Sequence, residues 1–193
     1  MLNERENVLW AKARMPKSVY EQKDILKGID VETREKICKA LHLRIFVMLA
    51  SNGIKIENSS HRVKSDERIE EKIKRKNVIY PFPLNDIFGI RIITEESDRE
   101  KIKNIIQSAF PATPALLPDG KASARDYRNP SVRSEHIENH NPHMSDRYSA
   151  MHVNFIFRRE GSDVYDIGEV QAMTKEELKI YNETRPFYSN GLS

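Results

Sequence analysis

The sequence predicts an α+β domain, a mixed or antiparallel sheet with helices packed around it. Three observations carry that expectation. Apolar residues recur at helical spacing in "ETREKICKALHLRIFVMLASNG", residues 32–53. Three apolar runs, "LNDIFGIRIIT" (84–94), "SAMHVNFIF" (149–157) and "DVYDIGEVQ" (163–171), read as strands. The whole order is helix, helix, helix, strand, helix, loop, strand, strand, helix, with no internal repeat.

Taken in order, residues 3–50 read as two helices. In the second, Ile37, Ala40, Leu41, Ile45, Met48 and Leu49 form the apolar stripe and Asn52-Gly53 ends it. The next helix starts near Ser65, whose hydroxyl can cap it, with Ile69 and Ile73 on its apolar side. The loop before it, "HRVKS", carries Arg62 and Lys64. The strand 84–94 follows. "SDRE" predicts a capping box from Ser97 to Glu100 and a helix to about Phe110. Residues 111–147 read as a long loop with at most one short strand. The last two strands form an antiparallel hairpin about Gly161-Ser162. "TKEE" is a second capping box, Thr174 to Glu177, opening a helix through about Arg185. Residues 1–60 are expected to be helices packing on a core formed by residues 61–193.

Composition narrows the class. With 193 residues, 38% hydrophobic and 32% charged, the chain suits one compact domain. A net charge of +3 fits an anionic ligand without demanding nucleic acid. The single cysteine, Cys38, excludes an internal disulfide and reads as a small core residue. No apolar run is long enough to cross a membrane, and the charged start "MLNERENVLW" is no signal peptide, so the expectation is a cytoplasmic protein with no membrane partner. No exposed apolar stripe stands out as an interface.

Several clusters could carry chemistry. Residues 61–76 hold seven Lys/Arg against four acids, and the reading is open between a solvated helix face and an anion site. Arg62, Lys64 and Ser65 at a helix N-terminus make a plausible polyphosphate cradle. Asp86 is either a strand-end cap or a metal carboxylate, and Gly89 two residues into the apolar stretch marks a close approach. Alternation places Asp86, Phe88 and Ile90 on one face, and Ile87, Gly89 and Arg91 on the other. Tyr148 and His152 are either buried and satisfied or a stacking platform with a polar neighbour. Glu169 and Gln171 lie two apart, on one face of a late strand. His136, His140 and His143 would suit zinc only on a helix, and Asn139, Asn141 and Pro142 read as helix breakers, so an ordinary polar loop is preferred. No Gly-rich phosphate loop is present.

In sequence these pieces resemble one family. R-x-K-S (62–65) is followed by I-x-x-K (Ile69 to Lys72) and D-I-x-G-x-R-I (Asp86 to Ile92). Then come "RDY" with "NP" (125–130), Y-x-x-x-H (Tyr148 to His152), and E-V-Q (169–171) before Thr174. Together they look like the synthetase domain of RelA/SpoT-type alarmone synthetases, in the small single-domain form, over about residues 60–185. The resemblance implies a nucleotidyltransferase-like mixed, mostly antiparallel sheet. It implies Mg²⁺-dependent transfer of the β,γ-pyrophosphate of ATP to a nucleotide 3′-hydroxyl. By motif, Asp86 and Glu169 are the catalytic and metal-holding carboxylates. Arg62, Lys64, Ser65, Lys72, Arg91 and Arg125 bind ATP. Tyr148 stacks on the acceptor base, with His152 and Gln171 beside it. The chain departs from the family pattern at Arg68, Ser131, Asp146-Arg147 and Met173, and its Asn129–Tyr148 loop is longer. All but Arg68 surround the acceptor, which stays open between guanine nucleotides, adenine nucleotides and the tRNA 3′ end. Self-association, or an antitoxin or immunity partner, is compatible with the resemblance. The N-terminal 60 residues are too few for a preceding hydrolase domain and lack a His-Asp metal cluster. A non-catalytic nucleotide-binding module, or an RNA-binding module on the basic helix, is the reading from another class.

Overall fold

A computed structural model describes residues 30–75, 86–110, 123–139, 144–158 and 165–184, without the side chains of Glu70, residues 72–75, Asn139, Arg158 and Tyr165. The expected helix before residue 30 lies outside these residues. Among them the order is α1 (Val31–Ser51), β1 (Ile56–Val63), α2 (Asp66–Arg75), β2 (Phe88–Thr94), a short 3₁₀ turn (Glu96–Asp98), α3 (Arg99–Ala109), β3 (Ala124–Asp126), α4 (Pro130–Asn139), β4 (Met151–Arg158), β5 (Tyr165–Met173) and α5 (Lys175–Thr184). None of these helices is long and apolar enough to cross a membrane.

The strands form one five-stranded sheet in the order β1-β2-β5-β4-β3. Only β2 and β5 are parallel; the other three pairs are antiparallel. The mixed, mostly antiparallel α+β architecture is therefore as expected.

One sheet face is dry. Phe88, Ile90 and Ile92 of β2, Val170 and Ala172 of β5, and Met151, Val153 and Phe155 of β4 are buried against Cys38, Leu41, Ile45 and Leu49 of α1 and Ile102 and Ile106 of α3. Each fully buried Ile or Leu contributes about 1.5–3 kcal/mol. Asp30 caps α1 by accepting from Thr33 N at 2.6 Å. Gly53, at φ +77°, ends it as Asn52-Gly53 predicts. A smaller cluster of Ile93, Tyr127, Tyr148, Ala150 and Met173 closes one end of the opposite face beneath α4 and α5.

Four local expectations change. Residues 56–63 form a strand where the sequence suggested only a loop leading into a helix. "IENSSHRV" shows no apolar alternation because β1 is an edge strand, whose polar residues stay partly hydrated. The Ser97–Glu100 capping box does not form: the 3₁₀ turn absorbs Ser97, and α3 begins with no side-chain cap bond. α4 is a helix inside the expected loop, with Ser131 N donating to Asn129 Oδ1 at 3.0 Å ahead of the first turn. Pro130 at its first position is a start signal that the surrounding Asn and His residues masked. His136 is thus helical, while His140 and His143 lie outside the described residues. Finally, the outward face of α1 exposes Leu43, Phe46 and Val47. "LHLRIFVMLA" is apolar all round, so its periodicity could not separate the buried face from this one.

Other expectations hold. β4 and β5 pair as an antiparallel hairpin. The Thr174–Glu177 box closes both ways, with Thr174 N donating to Glu177 Oε2 at 2.7 Å and Glu177 N to Thr174 Oγ1 at 3.3 Å.

Candidate active site

The polar side of the sheet is built by register. Directly paired residues put their side chains on the same face. One rung therefore runs Ser60, Arg91, Gln171, His152, Arg125 across all five strands. The next runs Arg62, Gly89, Glu169, Asn154. Six of the residues singled out from scattered motifs, Arg62, Gly89, Arg91, Arg125, His152 and Gln171, share these two rungs with Glu169, on a face opposite the apolar core. Gly89 is the floor beneath Arg62: a Cβ there would stand 3.4 Å from Arg62 Cγ and 3.5 Å from its Nε. Ser60, Arg62, Gly89, Arg91 and Gln171 line a cleft beside it.

At the centre, Glu169 is buried and fully engaged. Its Oε1 accepts from Gln171 Nε2 at 2.8 Å, and its Oε2 lies 3.0 Å from His152 Nδ1. His152 Nε2 is in turn 2.6 Å from the Tyr148 hydroxyl. An ionised carboxylate only accepts, so His152 donates from Nδ1. Burial pushes the Glu169 carboxyl up, as does the Asp86 charge. The charge and hydrogen bond of His152, with the Gln171 amide, outweigh both and bring it down to about 2. Gln171 extends the network by accepting from Arg91 Nη2 at 3.2 Å. The Arg91 guanidinium lies 4.4 Å above the Tyr181 ring.

Asp86 does not follow the strand alternation, because residues 86–87 turn ahead of β2. Released from the Phe88 face, its carboxylate is held by Lys64 Nζ at 2.9 Å and lies close enough to raise the Glu169 carboxyl. Lys64 N also donates to Ile87 O at 3.0 Å, latching the basic loop onto the start of β2. Ser65 caps α2, accepting from Arg68 N at 3.4 Å. The side chain of Lys72 lies outside the described residues. Among the described residues, Arg125 Nε and Nη1 are buried without a hydrogen-bond partner.

Of the two readings the sequence left open for Tyr148, its surroundings match the buried one. Its side chain is 7% exposed, packed 5.7 Å from the Tyr127 ring and 6.0 Å from the Tyr181 ring, and burial raises its hydroxyl well above the usual value. What it offers the site is the hydroxyl, through His152. Met173 is buried in the same cluster.

The sequence reading missed Asn154 and Tyr181. Asn154 lies opposite Glu169, fully buried, with Oδ1 unpartnered among the described residues. A lone amide in "HVNFIF", two residues after His152, was the available signal. Tyr181 had none, since it reaches Arg91 only through tertiary packing.

The donor set suits a hard cation. Two carboxylates that feel each other's charge are what Mg²⁺ takes alongside phosphate oxygens. Asp86 is neutralised by Lys64.

A comparison with curated protein sequences found no match. Among solved structures, the fold is similar to a GTP pyrophosphokinase family protein from Streptococcus pneumoniae (17% identity, TM-score 0.57, covering 90% of this chain and 80% of that one). It is also similar to a Streptococcus mutans protein (17%, TM-score 0.53, 83% and 78%) and to small alarmone synthetase 1 from Bacillus subtilis bound to its product pppGpp (18%, TM-score 0.51, 81% and 78%). At these identities the likeness establishes the fold. Residues 61–188, which carry both rungs but for Ser60, the Asp86–Lys64 pair and the capped helix after β5, match the region found in RelA / SpoT proteins, and the chain belongs to that family.

Proposed function

We propose that this protein is a pyrophosphokinase that moves the β,γ-pyrophosphate of ATP onto the 3′-hydroxyl of a purine nucleotide, making an alarmone. The observation that carries this reading is the convergence of Glu169 and Asp86 with Arg62, Lys64, Arg91 and Arg125 around one polar sheet face. A site that only held a nucleotide would gain little from two carboxylates beside its phosphates.

Each residue has a task that its position supports. Arg62 and Arg91 flank the Gly89 floor, where a flat base can approach the backbone. Lys64 and Arg125 neutralise the triphosphate and the Ser65 hydroxyl donates to it, with Lys72 given the same task by its place in the motif order alone. The acceptor enters over Gln171 and His152, with Tyr148 fixing the imidazole from behind. The acceptor 3′-oxygen bonds to the β-phosphorus, the bond from that phosphorus to the α-phosphate oxygen breaks, and AMP leaves. Glu169, ionised and oriented by two donors, accepts the hydrogen bond of the attacking hydroxyl and then its proton. Asp86 and Glu169 would hold Mg²⁺, which supplies charge neutralisation at the transferred group. Catalysis of this kind is mostly positioning and electrostatic stabilisation. Such substrates place the reaction in the cytoplasm.

The test incubates purified protein with γ-labelled ATP, Mg²⁺ and, in parallel, GDP, GTP, ADP, ATP or bulk tRNA. Label should move to a purine nucleotide, and Glu169→Gln should slow it by about 10²–10⁴-fold while the fold is retained. No labelled product anywhere, with AMP release equal to that of the Glu169→Gln variant, removes the enzyme reading. Label on tRNA alone replaces the nucleotide acceptor with the tRNA 3′ end.

A further inference from the structure

We infer that Arg34, on the first described helix, is a positioning residue for the ATP-binding segment, setting Lys64 from behind the sheet. The inference rests on the donor-side reading of Arg62 and Lys64 given above.

α1 meets the back of β1 through three polar side chains one helical turn apart, at positions i, i+4 and i+8. Arg34 Nη1 donates to Lys64 O at 3.4 Å, and Nη2 forms an ion pair with Asp66. Cys38 Sγ contacts the carbonyls of Arg62 and Gly89, at 3.5 and 3.8 Å. His42 Nε2 lies 2.8 Å from Ser59 Oγ. The helix therefore touches Ser59, Arg62 and Lys64 at the same stations from which Ser60, Arg62 and Lys64 reach the polar face.

Arg34 is the strongest of the three. Its side chain is 1% exposed, whereas that of Asp66 is 52% exposed. A guanidinium so removed from water must be neutralised by protein, and stranding it is costly. Asp66 is the first residue of α2, and Lys64 lies two residues before it. The Lys64–Asp66 turn cannot move away from α1 without leaving Arg34 unpaired. The same turn delivers Lys64 Nζ to Asp86. Arg34 thus holds the lysine on register with the metal carboxylate without approaching a substrate itself. A hydrophobic residue would have served α1 packing equally well; the planar fork of arginine is what joins a carbonyl and a carboxylate two residues apart.

The test compares wild type with Arg34→Met, Asp66→Asn and the double variant, by two readouts. The first is amide hydrogen exchange over residues 62–69 without nucleotide; the second is calorimetric binding, with Mg²⁺, of AMPCPP, whose α,β-methylene bridge blocks the bond that the reaction breaks. Each single variant should speed exchange in that segment selectively. Each should also weaken AMPCPP binding by about tenfold, the scale of one lost charge-assisted hydrogen bond. The double variant should bind no more weakly than the singles, and should recover melting temperature relative to Asp66→Asn, since it no longer strands a charge. That recovery without recovery of affinity is what a purely structural role cannot produce. Unchanged exchange and affinity in the folded single variants, or losses that multiply in the double variant, overturn the inference. Accelerated exchange in the variants of a wild type that fails to bind AMPCPP would uphold the positioning of the segment and remove the donor-site reading instead.

Discussion

At the scale of single residues, environment sets chemistry. Cys38 is fully buried beneath β1 and β2, and burial pushes its thiol up to about 12. Native protein at pH 8 should therefore leave Ellman's reagent unreacted, with one equivalent released on unfolding; rapid reaction of the folded protein would contradict this packing. Asp126 behaves oppositely. Burial pushes its carboxyl up, but the Arg128 guanidinium and backbone N–H, bonded at 2.9 and 3.1 Å, more than compensate and lower it from the ordinary 3.8. A carboxyl lowered in the folded state stabilises above its unfolded value, and that contribution disappears as pH falls through the folded one. Melting temperatures of wild type and Asp126→Asn should hence differ at neutral pH and converge below about pH 4. A gap that persists into acid would show that the pair contributes through shape alone.

Among the elements, β5 carries both faces of the argument. Its polar face holds Glu169 and Gln171, and its dry face leaves room for the Phe155 ring. Gly168 pairs with Phe155, and a Cβ on Gly168 would come within 2.5 Å of the ring. Gly168→Ala should destabilise by about 1–3 kcal/mol through overpacking, measured by urea unfolding. The ring sits inside a packed cluster and cannot yield as a surface side chain would. A neutral effect would mean that the β4–β5 register differs from the one described, and with it the opposition of Asn154 and Glu169.

Across the whole molecule, one buried ion pair ties the end of the sheet to its helices. Arg99, at the start of α3, pairs with Glu177 in the first turn of α5, and Glu177 also accepts from Ser149 Oγ ahead of β4 at 2.5 Å and from Thr174 N. Burial lowers the Arg99 pKa, yet the guanidinium keeps its charge and needs its partner. Glu177→Ala removes the partner and the cap together, and should cost about 3–5 kcal/mol in denaturant unfolding. Because the pair lies at the far end of the sheet from Asp86, a folded Glu177→Ala protein should retain AMPCPP binding.

Much of this was legible beforehand where the cause is local. The period-3.6 pattern of α1, the alternation in β2 and β5 and the Thr174–Glu177 box each depend on neighbours within a turn or a strand, so the chain encodes them directly. The motif order from Arg62 to Gln171 likewise named the residues that the polar face now holds. What the sequence could not show was set by contacts distant along the chain. The polar edge strand β1 exists because β2 pairs with it. The enclosure of Tyr148 follows from Tyr127 and Tyr181 closing over it, and the tie from Arg34 to the Lys64 turn from α1 lying behind β1. The sequence by itself determined which chemical groups are present and which local elements hold them. Only the tertiary structure decided which face each group occupies and what neutralises it, because burial and charge pairing belong to the assembled sheet rather than to any one segment.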